Sequence, residues 1–203
     1  MRTRCVVNGA FDLVIRFLLF AMLHSVAALP GVQQRIGNVF PRGFRFYRAA
    51  YNLAALVTFG WVMAAWPLSP VIYLVPGAGS LAFHAVQAFA LLQMIRCVSR
   101  TGMADFLGIP HLRREIAAHE LVTTGCYGTV RHPLYGLSMV FCLFNPLMTV
   151  KWLLFTLMAG GYFVVGAVVE ERRLEREFGD AYRSYRRQVP MFIPRMGRFA
   201  AKE

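Results

Sequence analysis

Long apolar segments alternate with arginine-bearing loops along this chain, and this alternation limits its possible folds more than any other feature. The segments 6–29, 51–66, 81–98 and 134–170 carry few charges, and a helix needs about 20 mostly apolar residues to cross a bilayer. Charged residues make up 16% of the chain and the mean hydropathy is +0.49, whereas soluble domains carry about 25% charged residues. The sequence therefore predicts an all-α integral membrane protein.

The number of spans and their orientation follow from segment length and loop charge. Segment 134–170 is long enough for two spans of about 17 to 20 residues joined near Asn145-Pro146, which makes about five transmembrane helices ending in a C-terminal helical hairpin. Loop 31–50 is rich in arginine and loop 75–80 has no Lys or Arg. Because cytoplasmic loops are enriched in Lys and Arg, the C-terminus is predicted to be cytoplasmic and the N-terminus outside. Segment 170–203 predicts an amphipathic cytoplasmic tail on the inner surface of a prokaryotic plasma membrane.

No linker, repeat or low-complexity segment divides the chain, so a single domain over 1–203 is predicted. Residues 1–100 would form a three-span scaffold, and 101–203 a polar loop, the hairpin and the tail. A signal peptide is the alternative for the first segment. That segment contains Asp12 and Arg16 and ends without a small-residue cleavage site, which favours a span. Asp12 and Arg16 are four residues apart and are predicted to pair on one helix face.

The net charge of +12 raises the question of nucleic-acid binding. The arginines lie between apolar runs, which is the pattern of membrane orientation, so we expect the lipid bilayer and not a nucleic acid as the partner. The four cysteines, Cys5, Cys97, Cys126 and Cys142, form no CxxC pair. Neither a disulfide framework nor a zinc or other metal site is predicted.

A polar, turn-rich segment at 119–135 separates two apolar runs and has the composition of a binding site. The Arg131 guanidinium suits a carboxylate, His132 has a titratable ring, and Pro133 restricts the backbone where the next apolar run begins. A second charged segment, 170–175, closes the same apolar region. The two segments lie at the two ends of the predicted hairpin and are expected to face one another.

The end of the first apolar segment contains His24 and Ser25. A histidine on an apolar helix is either a structural group with a polar partner or a member of a functional site. The sequence leaves both interpretations open.

An ordered set of motifs gives the C-terminal half a resemblance to a known family. Leu-Val-Thr-Thr-Gly-x-Tyr-x-x-x-Arg-His-Pro-x-Tyr at 121–135 is followed by two apolar spans, Glu170-Glu171, Phe178-Gly179, Tyr182, Tyr185 and Val189-Pro190. Over about 119–194 this order resembles the isoprenylcysteine carboxyl methyltransferase and phospholipid methyltransferase superfamily. His24-Ser25, Tyr47-Arg48, Tyr51-Asn52 and Asp105-Phe106-Leu107-Gly108 make the N-terminal half similar to its NnrU-like branch, which contains the methanethiol S-methyltransferases.

The resemblance implies a methyltransferase that uses S-adenosyl-L-methionine at the cytoplasmic membrane edge. By correspondence with the family motifs, the cofactor-binding residues are His119, Glu120, Leu121, Val122, Tyr127, Arg131, His132, Pro133, Leu134, Tyr135 and Glu170. Arg131 or His132 would meet the carboxylate of the amino acid end and Glu170 its ammonium group, while Tyr127 or Tyr135 would offer an aromatic face to the sulfonium. His24, Arg131 and Glu171 are the candidate catalytic residues. For Glu171 an ordinary ion pair on the helix surface is the alternative.

Two departures from the family pattern bear on the methyl acceptor. The prenylcysteine enzymes carry an arginine where this chain has Gly166, and the family often has a bulky basic residue where this chain has Gly128. A small hydrophobic thiol or another membrane-soluble acceptor is therefore favoured. The alternatives are a prenylated cysteine or lipid head group, and a non-catalytic NnrU-like accessory protein.

Overall fold

The computed structural model describes residues 2–101 and 120–195, so the predicted site residue His119 and most of the insert before it lie outside the described residues. The described chain is mainly helical. Its elements in order are α1 (Arg2–Ala28), α2 (Pro30–Val39), α3 (Tyr47–Met63), β1 (Val71–Leu74), α4 (Ala78–Thr101), α5 (Cys126–Thr129), α6 (Pro133–Leu143), β2 (Leu147–Thr149), α7 (Val150–Phe178) and α8 (Asp180–Gln188), with one 3₁₀ turn at Phe44–Phe46.

Three of these helices are long and apolar enough to cross a membrane, over Val6–Ala28, Ala78–Arg100 and Val150–Phe178. Large apolar side chains on their surfaces, such as Phe11, Leu81 and Leu157, are more than 60% exposed. Lipid can cover such surfaces, and the chain is an integral membrane protein of the all-α class.

The predicted fourth span is shorter than expected. Helix α6 has 11 residues, or about 16 Å at 1.5 Å per residue, against a hydrocarbon core of about 30 Å. The apolar run continues beyond it, but Phe144 leaves the helical conformation just before Asn145-Pro146, and proline disfavours the helical conformation in the residue before it.

Loop 31–50 is partly helical, contrary to the expectation of an irregular loop. Helix α2 begins at Pro30, which stands in the first turn, where the missing N–H of proline carries no penalty. The arginines and glycines of this segment predict a loop, whereas Pro30 is the helix start signal that the prediction missed.

A two-stranded sheet of β1 and β2 was also missed. Its ends are marked by hydrogen bonds from Val75 N to Pro146 O and from Val150 N to Pro70 O, both 2.9 Å. Tyr73 belongs to this sheet and not to the second apolar helix, because α3 ends at Met63 and residues 71–74 are a strand.

The described residues fall into two compact units, 2–72 with 148–155, and 73–101 with 120–147 and 156–195. In the first unit the predicted pair is confirmed: Arg16 Nε lies 2.8 Å from Asp12 Oδ1. Arg16 also donates to the carbonyl oxygen of Trp61 at 3.1 Å. A charged pair that also satisfies a helix-end carbonyl is less costly to place in an apolar helix.

In the second unit α4 packs along α6. Gln87 Nε2 donates to Phe141 O at 3.1 Å and Gln87 Oε1 lies 3.1 Å from His84 Nδ1. Gln87 therefore bonds to a neighbouring helix, a common arrangement for polar groups in apolar helices, while His84 bonds within its own helix. Helix α7 continues through the charged segment 170–175 to Phe178, so these residues occupy its last turns and not the start of a separate tail. Gly179, with φ +55°, ends the helix and α8 follows.

Candidate functional site

A cavity of about 320 Å³ lies in the second unit, between the segment 120–135, the end of α7 and α8. This volume is within the usual range for small-ligand sites, about 300–1,000 Å³. All the predicted cofactor-binding residues that fall within the described part of the chain line it. The lining consists of Glu120, Leu121, Val122, Tyr127, Arg131, His132, Pro133, Leu134, Tyr135, Glu170, Arg173, Leu174, Glu177, Phe178, Tyr182 and Tyr185.

The polar segment 120–135 is hydrogen-bonded to α8 and to the residues that follow it. Arg131 N donates to Pro190 O at 2.8 Å and His132 N to Met191 O at 3.0 Å. The Tyr185 hydroxyl donates to Tyr127 O at 2.7 Å. These bonds satisfy backbone groups that no helix satisfies, and they hold the residues between α5 and α6 in one position.

Glu171 is the centre of a buried ion-pair network behind the cavity wall. It is 4% exposed, and its Oε1 lies 2.7 Å from Arg131 Nη2 and 3.2 Å from His132 Nε2. Its Oε2 lies 3.5 Å from Arg186 Nε. The alternative of an ordinary surface ion pair is therefore wrong for Glu171, because the network joins the loop, α7 and α8 in the protein interior.

The Arg131 guanidinium is mostly engaged by protein acceptors. Besides Glu171 it donates to the carbonyl oxygens of Arg186, at 3.1 Å, and of Val189, and its side chain is 9% exposed. These contacts suit a structural role for the guanidinium, although the side chain also lines the cavity.

Glu170, the neighbour of Glu171, points to the cavity instead. Its side chain is 38% exposed, and Oε2 accepts the Tyr135 hydroxyl at 3.2 Å and lies 3.6 Å from His132 Nδ1. His132 thus stands between two carboxylates, with 6% of its surface exposed.

Three aromatic rings form a parallel stack beside this pair of carboxylates. The Tyr135 ring is stacked on His132 at 5.5 Å and on Phe163 at 5.0 Å between centroids. Tyr135 thus has two ring neighbours and also lines the cavity, and its contact with a sulfonium stays a prediction. Tyr127 is the other aromatic residue named for that role, and its side chain lines the cavity.

Several lining residues were not predicted: Arg173, Leu174, Glu177, Phe178, Tyr182 and Tyr185. Four of them follow Glu170 by 3, 4, 7 and 8 positions, the spacing of one helix face. This signal was present in the sequence, but it was missed because the helix was expected to end near Glu170.

Burial changes the acidity of the two tyrosines of α8. Burial and then the nearby Glu171 carboxylate raise the pKa of Tyr182 to about 12, and burial and then Tyr182 raise the pKa of Tyr185 above its usual value. Both phenols remain protonated at neutral pH and can act as donors. The Tyr182 hydroxyl is buried and has no hydrogen-bond partner among the described residues.

A disulfide joins Cys97 at the end of α4 to Cys126 at the start of α5. The prediction that the cysteines form no disulfide is therefore wrong. The turn before α5 brings Cys126 to α4: Gly125 has φ +63°, and a Cβ added there would lie 2.8 Å from Arg100 Nη1. The positive φ favours glycine at this position, whereas the contacting Arg100 atom is the end of a flexible side chain that could move aside.

His24 lies in the first unit and has aromatic neighbours. Its Nε2 is 2.6 Å from the Tyr51 hydroxyl, and its ring is stacked on Phe20 at 5.5 Å. Its Nδ1 is buried and has no partner among the described residues.

Comparison with known proteins identifies the class of this membrane protein. No family model matches the chain and no solved structure matches it. Methanethiol S-methyltransferase 2 of Bradyrhizobium diazoefficiens is 31% identical over 187 residues, which are 88% of this chain and 70% of that protein. Methanethiol S-methyltransferase of Crocosphaera subtropica is 29% identical over 188 residues, or 89% of this chain and 72% of that protein.

An isoprenylcysteine methyltransferase matches a shorter part of the chain. Protein-S-isoprenylcysteine O-methyltransferase of Schizosaccharomyces pombe is 39% identical over 79 residues, or 37% of this chain and 34% of that protein. The helices and these relatives define an integral-membrane methyltransferase. Within that class, the chain belongs to the family of the methanethiol S-methyltransferases, which confirms the resemblance given by the motifs.

Proposed function

We propose that the protein transfers the methyl group of S-adenosyl-L-methionine to a small hydrophobic thiol. The observation that carries this proposal is the cavity, where the family's motif residues converge on one volume. The residues fit the cofactor, because the exposed carboxylate of Glu170 suits an ammonium group and Tyr127 supplies an aromatic wall for a cation. When bound, S-adenosyl-L-methionine supplies a methyl group activated by a sulfonium.

The described residues would contribute mainly position and water exclusion to such a transfer. The His132–Tyr135–Phe163 stack and the Tyr135 bond hold the Glu170 carboxylate in place. Of the candidate catalytic residues, Arg131 and Glu171 have contacts that suit positioning, since each is nearly buried and bound to the other. Fixed geometry of this kind accounts for much of the barrier reduction in a two-reactant transfer.

The acceptor is assigned to thiols on two grounds. Several relatives are named for methanethiol methylation, and Gly166, where the prenylcysteine enzymes carry an arginine, supplies no cation. A Cβ at Gly166 would lie 3.8 Å from the Tyr135 hydroxyl. A prenylated cysteine is the second candidate, favoured by the similarity of part of the chain to the S. pombe enzyme. The accessory-protein alternative is not retained, because the relatives are methyltransferases.

His24 remains a proposed catalytic residue. Its bond to Tyr51 fixes the ring, and its second nitrogen is buried without a hydrogen-bond partner among the described residues, so it is oriented and can exchange a proton. His24→Ala should abolish turnover while leaving cofactor affinity intact, and equal loss of both would rule out a catalytic role.

We also propose five spans with the C-terminus and the cavity on the cytoplasmic side of a prokaryotic inner membrane. The arginines of segments 31–50 and 172–195 support this orientation by the positive-inside rule.

The experiment that tests the function begins with calorimetric titration of the detergent-purified protein with S-adenosylhomocysteine. The wild type should bind and Glu170→Gln should bind more weakly, because the neutral amide attracts an ammonium group less. The wild type is then assayed with methanethiol and with a prenylated cysteine methyl acceptor. Absence of S-adenosylhomocysteine binding in a folded sample would contradict the proposal. If methyl transfer occurs only to the prenylated cysteine, that acceptor and not a small thiol is the substrate.

A further inference from the structure

The cavity needs a cation for any ligand that carries a carboxylate. Arg131, His132 and Arg173 are the basic residues among its described lining. Arg131 is bound to Glu171 and to two carbonyl oxygens. His132 has a carboxylate oxygen within 3.6 Å of each ring nitrogen. Two of the three basic residues are therefore already paired within the protein.

Arg173 differs from the other two in its surroundings. Its side chain is exposed and lines the cavity. Among the described residues, its guanidinium has no ion pair or hydrogen bond. Glu177 also lines the cavity four positions later, yet the two form no ion pair within the described part of the chain.

Arg173 also stands beside the residue proposed to hold the ammonium group. It follows Glu170 by three positions on α7, and side chains at this spacing are neighbours on a helix surface, with Cβ atoms about 5–6 Å apart. The end of α7 thus presents an anion and a cation side by side to the cavity. An amino acid zwitterion carries its ammonium and carboxylate groups on one carbon atom and can contact both.

We propose that Arg173 binds the carboxylate of the amino acid end of the cofactor, while Glu170 binds its ammonium group. This inference rests on the proposed function and replaces Arg131 as the carboxylate-binding residue. The planar guanidinium can give two parallel hydrogen bonds to a carboxylate, a geometry that a lysine cannot reproduce. Arg131 then has a separate task, which is to hold the loop on Glu171.

The test compares two ligands that differ in the amino acid end. S-adenosylhomocysteine carries the zwitterion, and 5′-methylthioadenosine has the same adenosine and thioether without it. Affinities are measured by calorimetry on the wild type, Arg173→Ala, Arg173→Lys and the control Arg172→Ala. Arg172 is exposed on the same helix turn and does not line the cavity.

Arg173→Ala should lower the affinity for S-adenosylhomocysteine by about tenfold or more, as expected for loss of a charge-assisted pair. It should leave the affinity for 5′-methylthioadenosine unchanged. Arg173→Lys should retain part of the affinity, and Arg172→Ala all of it. Unchanged binding of S-adenosylhomocysteine to Arg173→Ala would overturn the inference, as would an equal loss for both ligands. If the wild type binds neither ligand, the proposed function itself fails. If the wild type binds S-adenosylhomocysteine and Arg173→Ala does not change the affinity, only the role of Arg173 is wrong and the proposed function stands.

Discussion

Replacing Glu171 by glutamine should destabilise the protein more than any other single change to a carboxylate of α7. The substitution keeps the shape of the side chain and removes its charge. It leaves the Arg131 guanidinium, whose side chain is 9% exposed, without its anionic partner. His132, with 6% exposure, loses one of its two carboxylates.

The size of the effect follows from this burial. Removing one partner of a buried ion pair costs about 3–5 kcal/mol, because the remaining charge is kept out of water. The amide oxygen can still accept one hydrogen bond, so the lower end, about 3 kcal/mol, applies. For a protein of this size each kcal/mol shifts the melting temperature by about 2–4 °C. Glu171→Gln should therefore lower it by about 6–12 °C.

The matched control is Glu175→Gln, one helical turn further along α7. Glu175 is 35% exposed and lies 3.4 Å from Arg186 Nη1 and 3.6 Å from Arg183 Nε. Exposed pairs contribute about 0–1 kcal/mol, so this variant should stay within about 4 °C of the wild type. Thermal unfolding in detergent, followed by tryptophan fluorescence at one protein concentration, measures both. Equal melting temperatures for the two variants would refute the structural role given to the buried network.

Three further predictions concern other parts of the molecule. Reduction of the Cys97–Cys126 bond, which spans 29 residues, should destabilise the protein by about 3 kcal/mol and lower its affinity for S-adenosylhomocysteine. In a variant with both cysteines replaced by serine, the reductant should change neither stability nor affinity. If it also changes neither in the wild type, the disulfide does not stabilise the protein. Tyr182→Phe removes a buried hydroxyl that has no described partner, so stability at pH 8 should be unchanged or higher. Because the folded-state pKa of Tyr182 is raised to about 12 from about 10, wild-type stability should fall as the pH rises from 10 towards 12. The stability of Tyr182→Phe relative to the wild type should therefore increase between pH 8 and pH 11. A melting temperature of Tyr182→Phe several degrees below that of the wild type at pH 8 would show that the hydroxyl has a partner. Finally, His24→Ala should abolish turnover, measured by labelled methyl transfer, and leave cofactor affinity, measured by calorimetry, unchanged.

Much of the fold could be predicted because helix formation in an apolar segment depends on nearby residues. The apolar runs around Leu13, Val86 and Val164 lie in the three long helices, and the Asp12–Arg16 pair follows from four-residue spacing within one helix. The strand at Val71–Leu74 was missed because its partner lies more than 70 positions away, and pairing of that kind has no local signal beyond the flanking prolines.

The sequence also determined which segments line the cavity, since the motifs at 121–135 and around Glu170 are contiguous and specific. It did not determine what each side chain does there. Arg131 was expected to meet a ligand, yet its partner is Glu171. Arg173 was not predicted to bind the cofactor, yet it lines the cavity.

The difference between Glu170 and Glu171 shows why the sequence does not determine the role of each side chain. Adjacent residues on a helix point about 100° apart, so identical neighbours face different surroundings. Composition predicted a membrane protein, and the resemblance of its motifs implied a methyltransferase with an acidic pair beside its site. Only the tertiary structure decided that Glu170 opens to the cavity while Glu171 is buried against Arg131. That choice depends on where the loop and α8 pack, through contacts such as Arg131 N to Pro190 O, and these join residues far apart in the chain.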